Sequence, residues 1–340
     1  MADPTASTRS YVAPGAAAHV PSVADVPELA LAFVLVPQFT MLAFTSAVEP
    51  FRIANQLTRK QLFRWMVYSA DGQPVQSSTG LSLAVDGTLP REVDEDYVFV
   101  CGGVTPHLTM GKSIGDWLRV QWRHGRNVGG ICTGAYALAR AGILDGHRFT
   151  LHWENIPGFT ETFPALQPLH KVFCIDGRIL TSAGGVASAD LALHLIAHWC
   201  GPDLARKVME MCLLSHNRAE GAGQISSTAA RMATRNPTIL VATAYFDETF
   251  DLGHDVPSCL EHLGVEMRQV QRLFRKHLGI TPAQYLSERR LAHARMLLAE
   301  TNLPVTEVAI ASGFSTRSAF SRSFRKKFGC SPHSFSSFSR

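Results

Sequence analysis

The spacing of apolar residues divides the chain into two parts with different periods. In the first part, short and almost continuously apolar runs cover residues 31–36, 64–70, 97–103 and 127–131. Such runs are typical of strands buried on both faces of a parallel sheet. Segments of helical spacing cover residues 40–57, 111–124, 135–141 and 188–200, and residues 172–182 predict a hairpin that turns at Asp176-Gly177. This alternation predicts an α/β sandwich with a mostly parallel sheet.

After about Pro257 the pattern is helical throughout, and one arrangement occurs twice. A short apolar helix meets a turn with glycine, and a basic amphipathic helix follows that ends at Gly279 in the first copy and at Gly329 in the second. The apolar face of the first basic helix consists of Val270, Leu273, Phe274 and Leu278, and that of the second consists of Phe320, Phe324 and Phe328. Two helix-turn-helix units in tandem predict a DNA-binding domain.

The opposite faces of these two basic helices carry side chains that can reach base edges and phosphates. The candidate DNA-binding residues are Met267, Arg268, Gln271, Arg272 and Arg275 in the first helix and Thr316, Arg317, Ser318, Ser321, Arg322 and Arg325 in the second. A long helix is expected between them over residues 282–300, with Thr281 as its N-cap. It would hold the two reading helices about one turn of DNA (roughly 34 Å) apart.

Basic residues are concentrated in the same region. The net charge of the chain is +4, and residues 1–236 carry 19 basic and 19 acidic side chains. From Arg268 onward there are 13 basic side chains and 3 acidic ones. A basic surface that coincides with two reading helices is what binding to phosphates requires.

The length of 340 residues allows two domains, each with its own core. We expect a disordered tail over residues 1–27, the α/β domain over 28–214, a linker over 215–236, where apolar periodicity fades, and the DNA-binding domain over 237–340. No apolar run is long enough for a membrane span, and the tail lacks the apolar segment of a signal peptide. Seven irregularly spaced cysteines favour a reducing compartment, so we expect the protein in the cytoplasm.

A candidate site lies at Gly-Ile-Cys-Thr-Gly-Ala, residues 130–135, where a strand is expected to turn sharply into a helix. Such an elbow presents Cys132 at the carboxyl edge of the sheet, where open α/β sheets bind ligands. Cys132 then lines a pocket, acts as a nucleophile, or is only a small residue that fits the turn. A tryptophan beside a carboxylate suits a cationic ammonium group. The candidate ligand-binding residues are Cys132, Thr133, His152, Trp153, Glu154, Gly103 and Glu49.

The second part of the chain resembles the AraC family of bacterial transcription regulators. The resemblance is carried by RQVQRLFRKHLGITPAQYLSERRLAHARMLL and VTEVAIASGFSTRSAFSRSFRKKFGCSP, and it extends from Pro237 to the C-terminus. One position departs from the family pattern, which usually has Ser or Thr as the N-cap of the first recognition helix. This chain has Glu266 there. A carboxylate suits a helix N-terminus but would repel a nearby phosphate.

Residues 28–200 resemble the ThiJ/PfpI (class I glutamine amidotransferase-like) superfamily, which implies a flavodoxin-like fold. The resemblance is carried by CGG, GGICTGAYALARAGILDG, HWEN and SAGGVASADLALHLIA, which are similar to the sensor half of GlxA-type AraC regulators. The run SAVEPFRIANQLTRKQLFRWMVYSADGQPV further resembles the branch that senses arginine, glycine betaine, carnitine and related amines. Enzymes of the superfamily add an acidic residue to the cysteine and histidine, and Ala43 occupies that position here. This departure favours a sensing pocket over an active site.

The resemblances imply a sequence-specific DNA-binding transcription regulator, expected to be an activator and not an enzyme, that responds to a small nitrogenous metabolite. Partners implied are double-stranded DNA, RNA polymerase and a second copy of the chain. We expect no cofactor and no metal, because His194 and His198 stand four residues apart without an evident third ligand. The alternatives are a cysteine-dependent hydrolase, amidase or glyoxalase-like enzyme fused to a DNA-binding domain, and a structural nucleoid protein.

Overall fold

The computed structural model describes Val20, residues 26–224 and residues 236–338. The chain falls into two compact units: the first contains the residues up to Gln224 except Pro157–Thr162, and the second contains the remainder. Most of the predicted tail, and residues 225–235 of the predicted linker, lie outside the described residues. Residues 215–224, which the sequence places in the linker, belong to the first unit.

The first unit is built around a sheet whose strands come from all along its length. The strands are β1 (Leu29–Leu35), β2 (Phe63–Ser69), β3 (Val75–Gln76), β4 (Ser82–Leu83), β5 (Gly87–Thr88), β6 (Tyr97–Cys101), β7 (Asn127–Ile131), β8 (Phe173–Asp176) and β9 (Ile179–Ser182). Seven of them form one sheet in the order β5-β2-β1-β6-β7-β9-β8, and β3 pairs with β4 separately. Every neighbouring pair of the large sheet is parallel except β8 with β9, the predicted hairpin. The prediction of a mostly parallel sheet is confirmed.

Helices cover both faces of this sheet. They are α1 (Met41–Thr58), α2 (Pro106–Thr109), α3 (Lys112–Arg123), α4 (Ala135–Arg140), α6 (Ala187–Cys200) and α7 (Pro202–Met211), with a 3₁₀ turn at Trp153–Asn155. Helix α5 (Ile156–Thr162) stands between α4 and α6 in the chain, but all of it except its first residue belongs to the second unit. Alternate residues of β1 join the core formed with α1, α6 and α7, namely Leu29, Leu31, Phe33 and Leu35. The residues between them face the other side, because side chains alternate across a strand. Helix α7 was not predicted from the sequence.

The second unit is entirely helical in its described residues. Besides α5, its helices are α8 (Pro237–Thr249), α9 (Val256–Leu263), α10 (Met267–Leu278), α11 (Pro282–Glu300), α12 (Val305–Ala311), α13 (Arg317–Phe328) and α14 (Pro332–Phe338). The pairs α9–α10 and α12–α13 are the two predicted helix-turn-helix units. No helix of the described ranges is both long and apolar enough to cross a membrane.

Each helix-turn-helix unit has its own apolar core, and α11 contributes to both. Tyr285 and Leu286, near the start of α11, pack with α8, α9 and α10. Leu291 and Leu297, further along the same helix, pack with α12 and α13. The start of α11 is fixed by a capping box in which the Thr281 and Gln284 side chains each bond the other residue's backbone N–H. One rigid helix therefore carries both units.

Phe324 is the centre of the second core and should carry much of its stability. Its side chain is fully buried and contacts Phe320, Phe328 and Phe335, with ring centroids 4.6 to 5.7 Å apart. We expect Phe324→Ala to reduce the free energy of unfolding of the second unit by about 3–5 kcal/mol. Calorimetry of the full chain measures this as a lower transition temperature, and exposed Ser318→Ala is the control. A loss below about 1 kcal/mol would contradict this description of the core.

Candidate functional site

The strand-to-helix turn at Cys132 has the strained geometry that the sequence predicts. Cys132 follows β7 directly and has a left-handed backbone with φ of 60°, a conformation that is uncommon for residues other than glycine. Both of its backbone polar groups are held. Its N–H donates to the Ser182 carbonyl at 3.0 Å, and its carbonyl accepts from the His152 N–H at 3.2 Å. The neighbouring strand and the 150–153 loop therefore fix the turn from two sides.

Glycines let other backbone segments approach this turn closely. A β-carbon at Gly184 would lie 2.6 Å from that of Cys132. One at Gly134 would overlap the Val100 carbonyl oxygen. These positions accept no side chain without a shift of the backbone, so they keep Cys132 at the carboxyl edge of the sheet.

Two of the predicted ligand-binding residues support the turn instead of facing open space. Thr133 is fully buried, and its hydroxyl donates to the Gly103 carbonyl at 2.8 Å. A β-carbon at Gly103 would overlap the carbonyl oxygen of Gln38. Gly103 also pairs with Phe39 in an antiparallel bridge. We therefore assign Thr133 and Gly103 to the packing beneath the site.

The Cys132 thiol is protonated at neutral pH. Burial raises its pKa to about 11, and the charge of Glu154 adds to the increase. A contact with the Thr40 hydroxyl, 3.7 Å from Sγ, acts in the opposite direction. Ala43, at the position of the superfamily's acidic residue, is buried and has no group to take a proton. This environment does not activate a nucleophile, since the thiolate is the reactive form.

His152, Trp153 and Glu154 lie on the loop that is bonded to Cys132. Burial lowers the pKa of His152, so its imidazole is neutral at pH 7. The Trp153 side chain is 42% exposed, and its ring centroid lies 5.6 Å from that of His152. Glu154 is exposed, and its charge acts on both His152 and Cys132. The structure thus brings these three predicted residues together with Cys132.

Glu49 lies elsewhere on the first unit. Its carboxylate is half exposed on α1 and forms an ion pair with Arg52, three residues on, at 2.6 Å. The other group on which its charge acts is Cys212, at the end of α7. None of the contacts found among the described residues joins Glu49 to Cys132 or to the 152–154 loop. The physical reason is that Glu49 lies two turns along α1 from the sheet edge.

One residue of the site was missed from the sequence. The side-chain amide of Gln224 accepts a hydrogen bond from the Trp153 N–H and donates one to the Leu151 carbonyl, each at 2.8 Å. Gln224 stands more than seventy residues along the chain, in a segment without apolar periodicity. No feature of the sequence indicates that contact.

The predicted DNA-binding residues form the outer faces of α10 and α13. Exposed among them are Met267, Arg268, Gln271, Arg272, Arg275, Thr316, Arg317, Ser318, Arg322 and Arg325, and Ser321 is half-buried. Val270 and Phe274 are buried on the opposite side of α10, and Phe320 and Phe324 on that of α13. Each helix therefore has the apolar back and polar front that docking in a major groove needs.

Not all basic side chains in the second unit are free to meet DNA. Arg290 donates to the carbonyls of Phe250 and His254, both at 2.8 Å. Arg295 lies over the ring of Phe328 at 5.3 Å. Lys327 pairs with a carboxylate of α11 at 2.7 Å. In the described part of the chain, by contrast, no ion pair holds the six arginines on the outer faces, namely Arg268, Arg272, Arg275, Arg317, Arg322 and Arg325.

The two reading helices begin differently. The Thr316 hydroxyl oxygen accepts from the Ala319 N–H at 3.2 Å and so caps α13. Glu266 precedes α10 without a side-chain bond to the helix backbone. The departure at Glu266 noted in the sequence therefore leaves the first reading helix with less support at its N-terminus.

Comparison with known proteins agrees with both units. Residues 259–337 match the family model of a helix-turn-helix domain, and residues 33–198 match that of the DJ-1/PfpI family. The chain is 42% identical over 300 residues to the HTH-type transcriptional regulator CdhR of Pseudomonas aeruginosa, which covers 88% of this chain and 89% of that one. The chain belongs to the AraC-type transcriptional regulators that carry a DJ-1/PfpI domain.

Two further relatives are also transcriptional regulators. The HTH-type transcriptional regulator GlxA of Rhizobium meliloti is 36% identical over 305 residues, which cover 89% of this regulator and 94% of that relative. A crystal structure of an AraC family transcriptional regulator from Pseudomonas putida is 30% identical and has a TM-score of 0.50. It covers 54% of this chain and 99% of that one. The regulator binds DNA through its helix-turn-helix domain, and the DJ-1/PfpI unit is a sensing domain, not an enzyme.

The protonated state of Cys132 leads to a pH prediction. Because its pKa is raised to about 11, the rate of alkylation by iodoacetamide should still rise about tenfold per pH unit between pH 8 and pH 10. Mass spectrometry of the peptide with Cys132, after brief reaction of the folded protein, measures this rate. Thr40→Val removes a contact that lowers the pKa and should slow the reaction further. A rate that levels off below pH 8 would indicate an activated thiolate.

A second prediction concerns the start of α10. Glu266→Ser supplies a capping hydroxyl and should stabilise the second unit by about 1 kcal/mol. It also removes a negative charge beside the outer face, so affinity for DNA should rise. The matched control is Glu261→Ser on α9, an exposed glutamate that caps no helix. Calorimetry and fluorescence anisotropy with a DNA duplex measure the two effects. Equal affinities of the two variants would contradict a role for Glu266 at the DNA surface.

Proposed function

We propose that this regulator responds to a small metabolite in which a cationic nitrogen stands near a carboxylate, as in arginine, glycine betaine and carnitine. The observation that carries the proposal is that Trp153 and Glu154, consecutive in the chain, are both exposed on the loop bonded to Cys132. An aromatic face attracts a quaternary ammonium group, and a neighbouring carboxylate neutralises its charge. The resemblance of residues 46–75 to the amine-sensing branch agrees with this chemistry.

Cys132 and His152 complete the site in this proposal. Both are uncharged at pH 7, the thiol because its pKa is raised and the imidazole because its pKa is lowered. Neutral groups at the base of the site leave Glu154 as the charge that selects a cation. A site with a neutral thiol and without the superfamily's acidic partner suits reversible binding, in which the ligand leaves unchanged.

We further propose that the ligand-bound regulator activates transcription in the cytoplasm as a homodimer that contacts RNA polymerase. A ligand can change DNA binding only if its affinity differs between two states of the protein. A dimer would place two pairs of reading helices on one stretch of DNA, so a small change in their arrangement would alter how many engage at once.

Thermal denaturation of the full protein with glycine betaine, carnitine, arginine and putrescine tests the ligand class. A compound that binds the sensing site should stabilise the folded protein by about 2.7 kcal/mol at a hundredfold excess over its dissociation constant. We expect the shift with a quaternary amine to be lost in Trp153→Ala and reduced in Glu154→Gln. Glu161→Gln, at another exposed glutamate, should keep it. A shift that survives Trp153→Ala would place the ligand elsewhere, and a shift with none of the four compounds would exclude this class of effector.

A further inference from the structure

Residues 218–224 form a strap that runs along the outer edge of the large sheet. Arg218 anchors one end, because its guanidinium and backbone N–H both bond the carboxylate of Asp190, at 2.7 to 2.9 Å. Asp190 is only 2% exposed, so a partner is required to keep its charge buried. A carboxylate oxygen of Glu220 accepts from the Ile175 N–H at 3.1 Å. The strap is therefore built into the first unit.

The other end of the strap pairs with the chain just before β8. The Val172 N–H donates to the Ala222 carbonyl at 3.0 Å, and the Gln224 N–H donates to the His170 carbonyl at 3.3 Å. Between these bonds, Lys171 and Gly223 stand opposite each other in an antiparallel bridge. Because these two bonds lie on either side of Lys171 and Gly223, the two residues form a non-hydrogen-bonded pair. In an antiparallel ladder this is the pair with the closer Cα atoms.

The Gln224 side chain reaches beyond this pairing into the ligand loop. Its amide bonds the Leu151 carbonyl and the Trp153 N–H, each at 2.8 Å, so it holds both peptide groups that flank His152. The His152 N–H is itself bonded to the Cys132 carbonyl at 3.2 Å. A third bond, to the Thr150 hydroxyl at 3.0 Å, fixes the amide's orientation. Gln224 and the elbow thus hold the same loop from opposite sides.

Protection of a sheet edge explains only part of this arrangement. Edge strands need their backbone groups covered. The Glu220 carboxylate does this for Ile175 in β8, and the backbone bonds to residues 170 and 172 continue the cover just before the strand. The Gln224 side chain covers no strand. What it fixes is the position of the loop that presents Trp153 and Glu154.

We infer that Gln224 is a positioning residue that couples ligand binding at the elbow to the chain leading to the DNA-binding domain. The inference rests on the proposed ligand site at Trp153 and Glu154. We call the strap clamped when Gln224 bonds Leu151 and Trp153, and released when it does not. A ligand that contacts this loop changes the peptide groups that Gln224 holds, so the affinity of the ligand differs between the two states. The same residue ends the first unit, and the chain continues from it towards α8. Ligand binding then shifts the population of clamped chains, which is the condition for a response at the DNA.

The first test separates ligand binding from the response. We compare the wild type, Gln224→Ala, Gln224→Glu and the control Gln167→Ala, an exposed glutamine whose amide bonds only Pro164 among the described residues. Glycine betaine is the probe, with carnitine and arginine in parallel. The DNA is a duplex selected by the wild type from a random library. For each variant, thermal denaturation measures binding of the probe, and anisotropy measures DNA affinity with and without it.

In the wild type we expect the probe to change DNA affinity about fivefold or more. Gln224→Ala should still bind the probe, but at a higher probe concentration because the loop loses one of its supports, and at saturating probe it should lose most of the change in DNA affinity. Gln224→Glu should follow it because a carboxylate cannot donate to Leu151. Gln167→Ala should behave as the wild type. A Gln224→Ala variant that keeps the full change in DNA affinity would overturn the inference. So would a variant that shows no thermal shift at any probe concentration, since Gln224 would then only shape the site.

A second test needs no ligand, so it still decides the inference if none of the three probes binds and the proposed ligand class fails. Residues in a non-hydrogen-bonded antiparallel pair, such as Lys171 and Gly223, have Cα atoms about 4.5 Å apart. This distance is within the range for a disulfide. Lys171→Cys/Gly223→Cys should therefore cross-link on oxidation and hold the strap closed. We expect DNA affinity to differ at least about threefold between the oxidised and reduced forms. The single variant Lys171→Cys under the same oxidant is the control. Equal affinities of the locked and open forms would overturn the inference.

Discussion

The left-handed backbone of Cys132 is the constraint on which the sensing unit depends. Such a conformation costs on the order of 1–3 kcal/mol for a residue with a side chain, and it persists only where the surroundings fix it. Here the fixing groups are the Ser182 carbonyl, the His152 N–H and the close approach of Gly184. Because the loop with Trp153 is bonded to this turn, the geometry of the proposed ligand site follows from it. The thiol itself contributes a neutral surface more than reactivity.

The helical unit depends in a similar way on one element, α11. Its first turns complete the core of one helix-turn-helix unit, and its last turns complete the core of the other. In the core of the second helix-turn-helix unit α11 contributes four of the eight buried residues, whereas the core of the first also takes Ile239, Ala242 and Phe246 from α8. Both reading helices also end at a glycine with a left-handed backbone, Gly279 and Gly329. The two helix-turn-helix units that repeat in the sequence therefore also share two structural features: each packs on α11, and each has a reading helix that ends at a glycine.

The parts of the structure that depend on local pattern could be predicted from the sequence. Strand β7 and the hairpin of β8 and β9 lie where the apolar runs and the Asp176-Gly177 turn place them. The two faces of α10 and α13 follow from helical spacing alone. The strap could not be found, because Arg218 and Gln224 are polar residues whose partners stand 28 and more than 70 positions away. The sequence also cannot show that the Thr133 hydroxyl donates to the Gly103 carbonyl.

Several basic side chains of the second unit bind groups within the protein, and this reduces the number of phosphates that the unit can neutralise. Each phosphate that a protein neutralises releases condensed counterions, and the salt dependence of binding reports their number, with a slope of about −0.9 per phosphate on B-DNA. The 13 basic side chains from Arg268 onward would suggest a very steep dependence. Arg290, Arg295 and Lys327 already have partners within the protein, on backbone carbonyls, an aromatic ring and a carboxylate. A formal charge count therefore overestimates the ionic strength at which the regulator leaves DNA.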